Sequence, residues 1–501
     1  VGIVPEVRDE SLPIHERERR SMGRLAALLE QHVVGKRSLI FTNSRAIAEK
    51  VTAELLERGI DAHIHHGSVD QTVRRRTEEL FRMDGPKTIV ATSTLELGID
   101  IGDLELSVQL GAPATASSFL QRLGRSGRRA ECESVGFLYA LDDDELPVAL
   151  AVADLASRGV SEELYPESAA LHVLFQQTIQ LVRELDRVAP QRCFEVLSGA
   201  GGFRDVTWQV FEDLLRDLVE DGYLELERQH LRVGPETERR FGHMGYRDFY
   251  SVFVTDPTWT VKYGAEPVGT IDLRYPISEN RENVFVLAGR KWRVEAIDRI
   301  RNLLLVEPAP NARVPRWVGD PVPYSYEVMR RTCELLAGTK SLLEHPKLSN
   351  KMAPARADAA ALGVNPSTFV VAPEVGGTVV HTYAGFAANR YLAVLLGARL
   401  RAPVVSTGPG VILRSVSSLS LDEIVDAVQT VVASSCARFE LQGFAESDDQ
   451  SVIGGKFGPL LGARSRAHQR RANLQRDRVQ FERLPLSELR VMKSLSLRAN
   501  A

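Results

Sequence analysis

Between Arg20 and about Ser157, short runs of β-branched and apolar residues alternate with stretches of helical periodicity, and that alternation leaves few folds open. Runs so uniformly apolar have no wet face, so they belong in a sheet covered by helices on both sides and built from βαβ units. Ser38-Leu39-Ile40-Phe41-Thr42 reads as one buried strand. A helix follows, with Ser44 as its cap, Ile47, Val51 and Leu55 on one face and Gly59 at its end. A strand resumes from Ile60 to His65, and Thr88 to Thr92, Leu106 to Leu110 and Val135 to Tyr139 supply three more. The expectation for this segment is an α/β domain with a parallel sheet, a kind of fold that holds nucleotides.

At 501 residues the chain exceeds what one hydrophobic core supports, so further domains are expected. From about Arg158 to Gly245 the pattern turns helical. Thr207 to Val219 carries apolar residues at helical spacing, Gly222 stops that helix, and Tyr223 to Leu226 and Leu231 to Val233 form a short strand pair. This resembles a winged helix; a plain packing helix is the other reading. From Tyr246 to Glu307 alternation dominates in Thr260 to Gly264, Val284 to Arg290 and Trp292 to Asp298, which predicts an antiparallel β-domain. Beyond it, helices are expected over Tyr326 to Leu336 and Ala387 to Leu400, and strands at Phe369 to Val371, Thr378 to His381 and Val411 to Leu413. That part is α+β. The longest biased tract is the Arg-rich stretch from Arg464 to Arg478.

Bulk properties narrow the function classes. No apolar run reaches the roughly 18 residues a membrane-spanning helix needs, so no membrane partner is expected. Cys132, Cys193, Cys333 and Cys436 lie too far apart for a zinc signature or a disulfide framework, so no metal ligand is assigned and a reducing cytoplasm is expected. A formal net charge of -4 is neutral on nucleic-acid binding, because a groove needs only a local excess of Lys and Arg.

The sharpest local signal is Ser118-Phe119-Leu120-Gln121-Arg122-Leu123-Gly124-Arg125-Ser126-Gly127-Arg128-Arg129. Four arginines in eight residues repel unless an anion sits among them, and guanidinium meets phosphate oxygens in a planar fork. Gly124 and Gly127 lower helix stability where they stand, which argues for close backbone approach and against a solvated basic helix end. The run Q-x-x-G-R-x-G-R resembles motif VI of superfamily-two helicases. Upstream, Ala91-Thr92-Ser93-Thr94-Leu95-Glu96-Leu97-Gly98-Ile99-Asp100 resembles motif V, Leu39 to Arg45 resembles motif IV, and His65-His66-Gly67-Ser68 resembles the H-G-S element between them. Their order and spacing are those of the family's second RecA-like domain.

Past that domain the chain is similar to the Lhr (large helicase-related) group, in which a winged helix precedes a β-rich domain. Val286 to Val294, Pro315 to Asp320 and His381 to Arg390 are the segments that carry the likeness, which loosens after about Asp422. The resemblance implies a division into 1–19, a linker from a first RecA-like domain; 20–157, the second RecA-like domain; 158–245, the winged helix; and 246–501, a β-rich domain with an α+β end.

It also implies roles. Arg125 and Arg128 would reach the ATP triphosphate, one of them as an arginine finger, with Gln121, Gly98 and Asp100 at the nucleotide. Asp100 would bind the ribose and couple domain closure. Thr92, and Ser44 or Arg45, would touch the nucleic-acid backbone. ATP would come with Mg²⁺, whose ligands are expected on a first RecA-like domain. The strand would be single-stranded DNA or RNA, travel is 3′-to-5′ in the family, and RNA:DNA hybrids are candidate substrates.

One departure qualifies this. The 501 residues contain no G-x-x-x-x-G-K-[ST] loop and no D-E-x-H box, and Gly35-Lys36-Arg37-Ser38 leads into a strand without the preceding glycine. The expectation is a fragment lacking its first motor domain and unable to hydrolyse ATP alone; a strand-binding module without motor chemistry is the rival. Finally, Trp317 lies in a non-periodic segment beside Arg313 and Arg316, which is the composition of a base-stacking platform, with an interdomain wedge as the alternative.

Overall fold

In a computed structural model the described residues are 2–3, 14–83, 85–97, 104–127, 135–165, 167, 169–242, 246, 249–252, 258–273, 277, 283–299, 301–310, 322–343, 345–374, 377–414, 419–435, 458–485 and 488–491. The chain is a multidomain α/β protein.

The amino-terminal unit is a six-stranded, all-parallel sheet of β1 (Gly2–Ile3), β2 (Arg37–Thr42), β3 (Ala62–His65), β4 (Lys87–Ala91), β5 (Leu106–Leu110) and β6 (Gly136–Ala140) in the order β1-β6-β5-β2-β4-β3. Helices α1 (Ile14–Val33), α2 (Arg45–Glu57), α3 (Gln71–Arg82), α4 (Ala116–Leu123) and α5 (Leu146–Ser157) connect or flank these strands. Every residue of β5 is buried, as the apolar pattern requires of a central strand. Ser44 stands at the cap position of α2, but its hydroxyl accepts nothing from the helix, contrary to the expected cap. Thr42 instead donates its hydroxyl hydrogen to the Ser44 carbonyl, 2.8 Å away.

A second unit follows, of α6 (Leu171–Leu185), α7 (Pro190–Ser198), α8 (Trp208–Glu220), the hairpin β7 (Leu224–Glu227) and β8 (His230–Val233), and α9 (Pro235–Phe241). Its core gathers Phe175, Phe211, Leu214 and Leu218. Trp208 packs edge-on against Phe194, with ring centroids 5.5 Å apart. Thr207 caps α8 by accepting from the Val210 amide, and Gly222 ends that stretch with φ +74°.

The third unit is a five-stranded sheet of β9 (Thr258–Tyr263), β10 (Glu266–Asp272), β11 (Val284–Leu287), β12 (Arg290–Asp298) and β13 (Leu303–Pro308), ordered β10-β9-β13-β12-β11. Two expectations need correction here. The run from Val284 to Arg290 is two strands, because Ala288 and Gly289 take φ +55° and +74° and form a two-residue hairpin turn. The sheet is also mixed, since β13 pairs with β9 in parallel.

The carboxy-terminal part holds α10 (Tyr326–Leu336), α11 (Pro346–Leu362), β14 (Thr368–Glu374), β15 (Gly377–His381), α12 (Gly385–Leu400), β16 (Val404–Ser406), β17 (Gly410–Arg414), α13 (Leu421–Ser435), α14 (Ala463–Glu482) and β18 (Glu488–Val491). Its sheet runs β16-β17-β15-β14-β18. Helix α5 of the first unit shares a core with α10. Beside that core the Asp154 carboxylate, wholly buried, accepts from Arg331 Nε at 2.8 Å, Ser341 Oγ at 2.7 Å and the Leu342 amide at 2.7 Å.

The Arg-rich stretch is α14, and it ties the second unit to the last sheet. Asp217 of α8 accepts from the Ser465 amide at 2.8 Å and from Arg464 at 2.9 Å, and Arg464 also holds Glu220. His468 meets Asp213 at 2.9 Å, and Gln469 accepts from the Leu171 amide at the start of α6. At its far end Asp477 takes both nitrogens of a fork from Arg390, at 2.6 and 2.7 Å, and Phe481 packs on Tyr391.

Candidate functional site

In an open parallel sheet, ligands gather at the carboxyl ends of the strands. Strands β5, β2, β4 and β3 are successive neighbours, with Thr42 opposite Leu110, Phe41 opposite Ala91 and Ala91 opposite His65. Their carboxyl ends therefore bring four loops to one edge: Asn43 to Arg45, His66 to Ser68, Thr92 to Leu95, and the turn after β5 that leads to α4. These loops contain the motif-like segments.

Arg122 ties the segments that follow β2 and β4 to β5. It lies on α4 with only 6% of its surface exposed. Its Nε donates to the Glu96 carboxylate at 3.0 Å, and Nη1 donates to Gln109 Oε1 at 2.7 Å and Asn43 Oδ1 at 3.2 Å. The guanidinium also lies over the Phe41 ring, 5.3 Å from its centroid. Burial pulls its pKa below the ordinary arginine value, and the Glu96 carboxylate works against that fall. This corrects the expectation that the arginine cluster as a whole awaits an external anion: for Arg122 the anion is Glu96. Arg125 is also buried, 8% exposed, and its Nε donates to the Glu96 carbonyl at 3.1 Å. Gln121, on the same helix, is exposed.

The amino end of α4 is closed by a carboxylate. Glu162, in the segment leading to the second unit, accepts from the Ala116 and Ser117 amides at 2.5 and 3.0 Å, while Thr115 takes the Ser118 amide at 2.9 Å. Glu162 also accepts from Ser325 Oγ at 3.3 Å, so three parts of the chain meet there. A carboxylate on a helix amino end is favoured by both the open amides and the macrodipole. Glu162→Gln is expected to lower local stability by about 0.5–2 kcal/mol, read as faster hydrogen exchange at Ala116 and Ser117. Unchanged exchange there would mean that the cap carries no weight.

At the β3 and β4 ends, Thr94 donates to the His65 carbonyl at 2.9 Å, and His65 Nε2 meets Glu78 at 3.0 Å. Burial pushes the His65 imidazole below its ordinary pKa, and the Glu78 carboxylate only partly opposes this. Arg45 Nη1 donates to Ser68 Oγ at 2.9 Å. Asn43, Arg45, Gly67 and Ser93 are exposed along this rim, and Thr92 is half-buried.

The structure thus brings Ser44, Arg45 and Thr92 to one rim and places Gln121 and Arg125 on the α4 side of it. Gly98, Asp100, Arg128 and Trp317 lie outside the described residues. Arg122, Glu96 and Glu162 escaped the sequence reading. Arg122 stood inside the quoted motif, and what sets it apart from the equally buried Arg125 is the set of side-chain acceptors it holds, Glu96, Gln109 and Asn43. Among the described residues no group of three or more His, Cys, Asp or Glu side chains is placed to hold a metal ion, and no helix is long and apolar enough to cross a membrane.

Residues 21–130 match the family model described as "Helicase conserved C-terminal domain", and residues 155–314 match "Large helicase-related protein, winged helix domain". Among curated relatives, ATP-dependent helicase Lhr-Core protein 2 of Thermococcus barophilus is 29% identical over 347 residues, covering 65% of this chain and 39% of the relative. Lhr helicase/uracil glycosylase of Escherichia coli is 27% identical over 342 residues, covering 58% of this chain and 22% of the relative. The chain thus spans well under half the length of these relatives. In structure it is similar to the Mycobacterium smegmatis helicase Lhr bound to ssDNA and AMP-PNP, with a TM-score of 0.63 and 22% identity over 98% of this chain and 69% of that one. A helicase carboxy-terminal domain followed directly by a winged helix of the Lhr type places this chain in the Lhr group of superfamily-two helicases.

Proposed function

We propose that this chain is the second-motor and strand-gripping part of an ATP-driven helicase or translocase that moves 3′-to-5′ along single-stranded DNA, with RNA and RNA:DNA hybrids as the other candidate strands. The observation that carries this reading is the single rim formed by Asn43 to Arg45, Gly67 to Ser68 and Thr92 to Ser93 at the ends of β2, β3 and β4. Such a rim offers hydroxyls, one exposed guanidinium and the start of α2, where the Ser44 hydroxyl leaves the first amides untouched. These are the donors that phosphate oxygens accept from.

ATP with Mg²⁺ would lie on the α4 side, with Gln121, Gly98 and Asp100 at the nucleotide and Arg125 and Arg128 at the triphosphate. Arg125 would exchange the Glu96 carbonyl for phosphate as the cleft closes. The phosphate cradle and the Mg²⁺ ligands are proposed to come from outside residues 1–501, in a first RecA-like domain, so the chain by itself hydrolyses no ATP. Phosphate release measured with and without single-stranded DNA tests that point, and DNA-stimulated turnover by these residues alone would refute it. We keep the division at 20–157, 158–245 and 246–501 as part of the same proposal. Because α14 covers the acidic face of α8, the winged helix would meet the strand through its hairpin, where Arg228 and His230 are exposed. Trp317 is proposed to stack on a base.

The direct test is a titration of a fluorescent single-stranded oligonucleotide at several salt concentrations. Arg45→Ala is expected to weaken binding evenly across sequences and to reduce the salt slope by about one. A variant that keeps the wild-type slope removes Arg45 from the backbone contact.

A further inference from the structure

Glu49 lies on α2, one turn after Arg45, with 4% of its surface exposed, and its partners come from two distant parts of the chain. His66, 1% exposed, meets Glu49 Oε1 through Nε2 at 2.9 Å. The Ser68 amide donates to His66 Nδ1 at 3.2 Å, so in the neutral ring the hydrogen resides on Nε2 and is donated to the carboxylate. The remaining donors come from the β11–β12 turn. The Ala288 amide donates to Oε1 at 2.8 Å and the Gly289 amide to Oε2 at 2.7 Å.

A second clamp lies on the other side of the same loop. The Thr270 amide of β10 donates to the Ser68 carbonyl at 2.7 Å, and the Asp70 amide donates to the Val268 carbonyl at 3.4 Å. Only glycine fits between them: a Cβ on Gly269, whose φ is +156°, would lie 2.4 Å from the Ser68 carbonyl oxygen.

We infer that Glu49 is a positioning residue through which the five-stranded unit sets the H-G-S loop for strand binding. The inference rests on the strand-binding reading of that loop given above. Ser68 is held by its amide through His66 and Glu49 to the Ala288–Gly289 turn, by its carbonyl to Thr270, and by its hydroxyl to Arg45. A buried carboxylate stripped of one such donor loses the compensation for its desolvation, so the relay is present as a whole or fails as a whole. A strand contact at Gly67 or Arg45 is thereby felt at residue 288, and the five-stranded unit travels with the motor domain.

The test combines hydrogen exchange with an anisotropy titration of fluorescein-labelled oligo-dT on the 501-residue chain. Glu49→Gln disturbs the relay from the α2 side by turning an amide NH₂ toward backbone donors. Gly289→Ala disturbs it from the turn side, because its φ of +74° strains any Cβ, which would also stand 3.2 Å from Thr52 Cγ2. Each is expected to raise exchange at the Ser68 amide and to weaken oligo-dT binding by about ten-fold. The double variant should be no worse than the weaker single one, since both cut one relay. Glu49→Asp, which keeps the charge but withdraws it by a methylene, should fall between wild type and Glu49→Gln. Additive losses, or wild-type exchange at Ser68 in Gly289→Ala, would overturn the inference. If the wild-type chain binds no oligo-dT, the strand-binding reading falls, and exchange at Ser68 decides the relay by the same criteria.

Discussion

Arg125→Ala is expected to lower DNA-stimulated ATP turnover by about 10³- to 10⁵-fold in a protein that joins this chain to a phosphate-loop domain, with strand affinity nearly unchanged. The magnitude is that of an arginine finger, which acts on charge developing at the γ-phosphate and little on ground-state binding. The structure adds a reason why lysine should not substitute. Arg125 uses both Nε and Nη2 on the Glu96 carbonyl, and a guanidinium can leave that oxygen one donor at a time while keeping its plane. An ammonium has no such fork, so Arg125→Lys should resemble Arg125→Ala in turnover. Single-turnover phosphate release, with oligonucleotide affinity measured in parallel, separates the effects. Turnover at the wild-type level in both variants would leave Arg125 a purely structural pin between α4 and the loop after β4.

Arg122→Leu is the second large effect, and it is one of stability. The substitution leaves the Glu96 carboxylate and the side-chain oxygens of Gln109 and Asn43 without their shared donor, in a site where Gln109 is 2% exposed. Breaking a buried ion pair by removing one partner costs about 3–5 kcal/mol. Thermal melting and limited proteolysis of the amino-terminal unit should both report it. Exchange should rise in three separate segments, around Asn43, Glu96 and Gln109, because one side chain serves all three. Arg122→Lys keeps the charge but cannot span three acceptors, so it should recover only part of the loss. A melting profile like the wild type would refute the hub.

The contrast between Arg122 and Arg125 marks how far the sequence could be read. Strand identity came through well because a buried parallel strand is written locally, in a run such as Leu106-Ser107-Val108-Gln109-Leu110. The segments that bear the helicase likeness came through for the same reason: each is a contiguous string. Pairings across long separations did not. Nothing near Glu49 announces that its carboxylate will cap a turn 240 residues later. Nor does the acidic pattern of α8 announce α14, since a charged helix face reads as solvated until its partner is known. The misplaced turn has a different cause: Ala288 sits with φ +55°, a conformation its residue type disfavours, so local propensity pointed to a strand. Arg122 was unreadable for a third reason, because burial of an arginine is a property of the packed fold and not of its motif.

The bridge made by α14 has a consequence for the order in which the molecule can be completed. Asp217 and Glu220 leave the ribosome long before Arg464, which pairs with both and follows Asp217 by 247 residues. At about 5–20 residues per second, that is a wait of roughly 12 to 50 s. During this interval Asp217 and Glu220 lack the Arg464 guanidinium, and the start of α6 still lacks the Gln469 oxygen that accepts from Leu171. Synthesis runs amino to carboxy end, but this unit closes out of turn, only when α14 arrives and joins it to the sheet of β14 to β18.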